Sequence, residues 1–247
     1  MFYLLILATV AATSLLSGIL GMAGGMVLMA VLITTMGVAS AMLLHGAVQA
    51  TANGSRAWFL RRYVHWPILP MYIAGAATAT VAFTLIALVP HPGVVLILVG
   101  AFPWLARFSK RLSGLDVTKP LTTFVCGVVV TAAQLLAGAS GPLLDVFYLR
   151  SPLNRQQIVA SKAITQALGH LLKIYYYGLI ISLPAELPWW FVMAALLMAI
   201  GGTRAGTWIL AKWNDTDFQK VSQVIILTIA TACLVHGILL LWPSLTA

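Results

Sequence analysis

The feature that most constrains this chain of 247 residues is a series of long apolar runs joined by short basic connections. A helix needs about 20 apolar residues to cross a hydrocarbon core of roughly 30 Å, so these runs are the length of membrane spans. Backbone in lipid must satisfy its own hydrogen bonds, and apolar runs that are continuous instead of alternating select helices over a barrel. Charged residues make up only 8% of the chain, against about 25% in soluble domains, and the short connections leave no room for a soluble domain. The fold class expected is an all-α polytopic membrane protein.

The net charge of +9 would suggest nucleic acid in a soluble protein. Here the basic residues lie mostly between apolar runs, which is a topology signal, and no nucleic-acid partner is expected. The leading Met1-Phe2-Tyr3-Leu4 carries no basic segment and no small-residue cleavage site, so it is read as retained. Cys126 and Cys233 stand alone in apolar runs and read as packing residues; no metal site and no cofactor are expected.

Displacing the sequence against itself by 117 positions, as from Gly21 to Gly138, brings a set of residues into register. Gly24 meets Gly141, His45 meets Lys162, Gln49 meets Gln166, Asn53 meets His170 and Arg56 meets Lys173. Trp66-Pro67 falls on Leu183-Pro184. One constant offset that aligns polar residues indicates two related halves, 1–112 and 113–247. Single spans are expected at 41–60, 67–89 and 92–106, and again at 156–181, 188–211 and 219–242. The stretches 2–38 and 117–149 are too long for one ordinary span at roughly 1.5 Å per residue, and glycines break each near its middle. Both are read as helical hairpins that enter and return on the same side.

Hairpins place Arg56/Arg61/Arg62, Arg107/Lys110/Arg111/Lys119, Arg150/Arg155 and Arg204/Lys212/Lys220 together on the cytoplasmic side, with both termini outside. Single crossings would carry Arg150, Arg155, Arg204, Lys212 and Lys220 outward. The charge distribution therefore favours two inverted-topology repeats, each a glycine-broken hairpin plus three transmembrane helices. In that plan the binding site lies where the halves meet.

Lys162, Gln166, His170 and Lys173 are spaced to share one face of a helix, as are His45, Gln49, Asn53 and Arg56. A charge near the bilayer centre costs at least about 2.5 kcal/mol, so such residues face a cavity or a partner. Arg56 and Lys173 lie near span ends, where snorkelling to the interface is an equal alternative. Interhelical hydrogen bonding is the lesser alternative for Gln49 and Gln166. Basic and amide donors together suit an oxyanion. Gly24-Gly25 and Ser140-Gly141-Pro142 resemble the starts of second half-helices whose free N–H groups would point at an anion, or else glycines that only permit close helix packing. Asp145, the one acid deep in an apolar segment, is expected to pair with Lys162 or His170, to carry a coupling proton, or to form an ion pair beside Arg150. Asp116, Glu186, Asp215 and Asp217 read as loop acids.

Three segments carry a family likeness: Ser17-Gly18-Ile19-Leu20-Gly21-Met22-Ala23-Gly24-Gly25, then Arg61-Arg62-Tyr63-Val64-His65-Trp66, and Gly201-Gly202-Thr203-Arg204-Ala205-Gly206. In these the chain resembles the sulfite exporter TauE/SafE family, or toluene sulfonate uptake permeases. The resemblance implies movement of sulfite, sulfoacetate, other organosulfonates or some carboxylates across a bacterial-type inner membrane. The expected function is a secondary transporter of a small sulfur-containing anion, working by alternating access, with a coupling proton and a homodimer both open. A passive anion channel and a nontransporting assembly or sensor subunit are the alternatives. No HExxH, no GxSxG and no pair of acids on one helix points to an enzyme.

Overall fold

The computed structural model describes residues 1–20, 23–109, 115–181, 187–210 and 215–246. Gly21, Lys110, Arg111, Glu186 and Lys212, the junction expected at 112/113 and the expected span end at 211 lie outside the described residues. The described chain is all helical, in the order α1 Phe2–Leu20, α2 Ala23–Thr35, α3 Val38–Phe59, α4 Leu69–Ile86, α5 Pro92–Ser109, α6 Pro120–Ala137, α7 Gly141–Tyr148, α8 Arg155–Tyr175, α9 Trp189–Leu210 and α10 Asp215–Thr246. α10 thus starts at Asp215, ahead of the span expected from 219, and takes in two residues read from sequence as loop acids. A π-helical turn, Tyr176–Ile180, prolongs α8.

The protein is an all-α polytopic membrane protein. Among the described residues five helical segments are long and apolar enough to cross a bilayer: Phe2–Ile19, Trp66–Ile86, Pro120–Ala137, Trp189–Ile209 and Gln223–Trp242. Their outward faces expose Leu85, Leu197, Ile238 and Leu239, which lipid would cover. Trp58, Trp66, Trp189, Trp190, Trp208 and Trp242 are exposed near helix ends, as in the aromatic belts of membrane proteins. α3 and α8 are long enough to span but too polar to qualify, because each carries a polar stripe; the bundle covers that stripe from lipid.

Both long apolar stretches divide where their glycines fall. Gly24 sits so close to α1 that an added Cβ would lie 2.0 Å from the Thr13 carbonyl oxygen and 2.5 Å from the Ser17 hydroxyl. α2 therefore folds back onto α1. In 117–149, α6 ends at Gly138, whose φ of 71° is the left-handed conformation that stops a helix and favours glycine. The Val117 amide donates to the Phe147 carbonyl at 3.0 Å, joining the two ends of that stretch. Asp116, in the turn before α6, accepts from the Thr118 amide at 2.9 Å, and this bond holds its carboxyl below the usual range.

Small residues set the directions of packing. Tyr3 packs on Trp190 and Phe191 while Gly18 meets Thr203 and Gly206, so α1 and α9 run the same way. Gly93 meets Gly237, and Gly100 meets Ala230, so α5 and α10 run oppositely. α3 and α8 also run oppositely: Gly46 abuts Lys173 and Ile174, while the His65 amide, just past α3, donates to the Ser161 hydroxyl at 2.9 Å. Exchanging the first five helices for the last five converts the α1–α9 pairing into α4–α6 and leaves α3–α8 and α5–α10 unchanged; all four pairings are present.

Candidate substrate cavity

A cavity of about 320 Å³ follows the antiparallel seam of α3 and α8. α3 contributes His45, Gln49, Asn53 and Arg56, and α8 contributes Arg155, Lys162, Gln166 and His170. The hairpin breaks contribute Gly25 from one side and Ser140, Gly141 and Pro142 from the other. Ser17 and Thr207 complete its polar lining. The exposed Arg155 and half-buried Leu60 mark the mouth; His45 and His170, 1% and 5% exposed, form the floor.

Helical spacing accounts for the two stripes, since residues four apart stack on one face. Within α3, the Asn53 side-chain amide donates to the Gln49 carbonyl at 3.0 Å. At the floor, Lys173 is fully buried, and its ammonium donates to the Gly138 carbonyl at 3.0 Å and to His45 Nδ1 at 2.8 Å. An ammonium can only donate, so His45 Nδ1 accepts and its Nε2–H donates to the Gly25 carbonyl at 2.9 Å. Both ring nitrogens of His45 are thus committed. His170, its ring centre 5.5 Å from that of His45, has a buried Nδ1 with no partner among the described residues. Lys162 forms an ion pair with Asp145 of α7.

Positions 117 apart do corresponding work. Arg56 donates to the Ser17 carbonyl at 3.3 Å, in the last turn of α1, and Lys173 donates to Gly138, the cap of α6. Each cation lies at the carbonyl end of a first hairpin arm, where the helix dipole is negative. His45 and Lys162 instead hold the second arms, one through the Gly25 carbonyl on α2 and the other through the Asp145 carboxylate on α7.

Of the residues singled out from sequence, His45, Gln49, Asn53, Lys162, Gln166, His170, Gly25, Ser140 and Gly141 converge on this one cavity. Gly24 does not: its missing side chain serves contact with α1, which is the packing alternative. Asp145 stands behind Lys162 instead of on the wall. Lys173 does not snorkel, because the chain continues helically past it and buries it. Gln134, which sequence reading passed over, accepts from the Ser140 hydroxyl at 2.5 Å and braces the second break. Its only signal was an amide four residues before a glycine.

The cavity is basic. Arg56, Arg155 and Lys162 line it, and among the described residues no carboxylate does. An all-helical membrane protein with a polar, cationic cavity between α3 and α8 and broken helices at its walls fits the transporter class. The chain matches the family Sulfite exporter TauE/SafE over residues 5–233 and belongs to that family, whose members are transporters and not enzymes. No curated protein and no solved structure matches it.

Proposed function

We propose that the protein is a secondary transporter that moves a small sulfur-containing anion, sulfite or an organosulfonate such as sulfoacetate, by alternating access between two inverted repeats in a bacterial-type inner membrane. The observation that carries this reading is the cavity lining: three cationic side chains, amides and the His170 imidazole, with no acid on the wall among the described residues. Such donors suit tetrahedral or trigonal oxyanions. A volume of about 320 Å³ is at the low end of the roughly 300–1,000 Å³ of small-molecule sites, which suits an anion of this size. The family description adds the sulfur chemistry.

The antiparallel α3–α8 seam supports inverted repeats, since parallel repeats would run these two helices the same way. Arg61 and Arg62 follow α3, and Arg150 and Arg155 precede α8, so the mouth is at the arginine-rich end. By the positive-inside rule that end is cytoplasmic, both termini are outside, and the cavity faces inward. The floor argues against an open channel, because Lys173, His45 and the Gly138 carbonyl close it through buried hydrogen bonds.

The test is labelled uptake and charge movement in proteoliposomes with sulfite, sulfoacetate, taurine, thiosulfate, a carboxylate and chloride, for wild type and Lys162→Ala. Saturable flux of one sulfur oxyanion is expected, reduced at least about tenfold in the variant by loss of a charge-assisted contact of roughly 1.5–3 kcal/mol. No flux of any anion from correctly inserted protein overturns the proposal. Conductance that does not saturate would indicate a channel.

A further inference from the structure

Equivalent positions in the two halves hold the second hairpin arms by different chemistry. His45 holds α2 through a backbone carbonyl, which stays an acceptor at any pH. Lys162 holds α7 through the carboxylate of Asp145, which a proton can neutralise. The position 117 residues before Asp145 is Leu28, fully buried and apolar, so an acid at this place is particular to the second half. Lys162 faces the cavity with its side chain 20% exposed, while Asp145 is 36% exposed and also borders a separate hollow between α5, α7 and α10. The carboxylate therefore stands between the substrate cavity and that second hollow.

We infer that Asp145 and Lys162 form a charge switch that couples each transported anion to one proton moving in the same direction, a device that rests on the transporter reading above. With Asp145 ionised, the Lys162 ammonium is neutralised by its partner and an entering anion meets a carboxylate behind its binding group. A proton on Asp145 removes that charge and leaves the Lys162 ammonium to bind the anion. The loaded cavity then carries one added proton and one anion, and release of the anion on the far side restores the ion pair as Asp145 gives up its proton. The charged groups around the pair agree with this assignment. Arg56 of α3 and Arg155 of α8 share the cavity with Lys162, adding attraction for the anion, the imidazoles of His45 and His170 line the same cavity, and Arg107 of α5 borders the hollow beside Asp145. α10 presents the uncharged Gln223 there. The titratable groups of α6 and of the rest of α7, Cys126 and Tyr148, are packed in the apolar core.

The experiment uses proteoliposomes with a trapped pH indicator and labelled sulfoacetate, whose two acid groups are both ionised between about pH 6 and 8 and so do not themselves supply the proton. Labelled sulfite is the second probe. Wild type is expected to acidify the lumen as the anion enters, and its half-saturation concentration should rise about tenfold per pH unit on the alkaline limb, the slope for one linked proton. Asp145→Asn should flatten that profile and lose the proton movement, and Asp145→Glu should restore both. Flux in wild type without proton movement, or an unchanged profile in Asp145→Asn, overturns the switch and leaves the transporter reading standing. Absence of all flux in wild type overturns both. If Asp145→Asn does not fold, Asp145→Glu decides with the wild type: a displaced alkaline limb supports the switch, and a limb unmoved in Asp145→Glu overturns it.

Discussion

α3 and α8 carry their polar residues at positions 117 apart yet use the last cation of each stripe at opposite ends of one cavity. Arg56 works at the mouth, half-buried, against the end of α1, whereas Lys173 is sealed beneath the floor against the end of α6. The second arms differ as well: α2 runs Ala23–Thr35, and α7 only Gly141–Tyr148. The contacts at the two glycine breaks therefore correspond while burial, and with it the energetic weight of each contact, differs. In an alternating-access cycle the two ends would exchange, so the sealed cation of one state becomes the mouth cation of the other.

The largest expected effect tests this inequality directly. Lys173→Met leaves His45 Nδ1 and the Gly138 carbonyl without a donor in a buried site, and at about 1–3 kcal/mol for each orphaned group it should cost about 4 kcal/mol. Arg56→Met breaks a longer bond at the wetter end and should cost no more than about 1 kcal/mol. Thermal unfolding of the detergent-purified proteins, followed by tryptophan fluorescence, separates the two. Equal losses would mean that the halves carry equal weight.

The hairpin breaks differ next. Gly24→Ala drives a Cβ into the Thr13 carbonyl, a backbone atom that cannot step aside, and should cost about 3 kcal/mol. Gly138→Ala meets the sulfur atoms of Met29 and Met42, which can move, so its cost should approach the roughly 1–2 kcal/mol of the left-handed conformation alone. Monodisperse yield and melting temperature report both, and a milder Gly24→Ala would show that α2 is free to shift on α1.

These contrasts also mark how far the sequence could be read. Membrane helices, the breaks in the two long apolar stretches and both polar stripes were legible because glycine breaks and amides or cations in apolar runs carry a large physical cost and so stand out. The depth of Lys173 was not legible. The expected span 156–181 already runs past it, but composition alone does not tell whether a lysine there reaches the interface or turns inward, and its partners His45 and Gly138 come from elements distant in sequence. Gly24 and Gly25 were equally opaque, since neighbours on a helix differ by about 100° in direction and only the packing of α2 on α1 decides which one meets the cavity. The partner of Asp145 was one of several until α7 and α8 were set side by side.

The smallest effect concerns the amides. Gln49 is 7% exposed, and its amide lies 3.3 Å from where a Cβ on Gly25 would stand, so it is wedged against the first hairpin. Gln166, in the matching place, is half-buried and has room to turn toward a ligand. Gln166→Ala should therefore raise the half-saturation concentration about fivefold, the equivalent of about 1 kcal/mol for one hydrogen bond, with no change in melting temperature. Gln49→Ala should show a similar loss of affinity together with a stability loss of about 1 kcal/mol, because it also opens space against α2. Uptake kinetics and melting curves on the same preparations distinguish a residue that only binds from one that binds and braces. If Gln166→Ala lowers the melting temperature as much as Gln49→Ala, both halves are braced by their amides, and the asymmetry is confined to the cations.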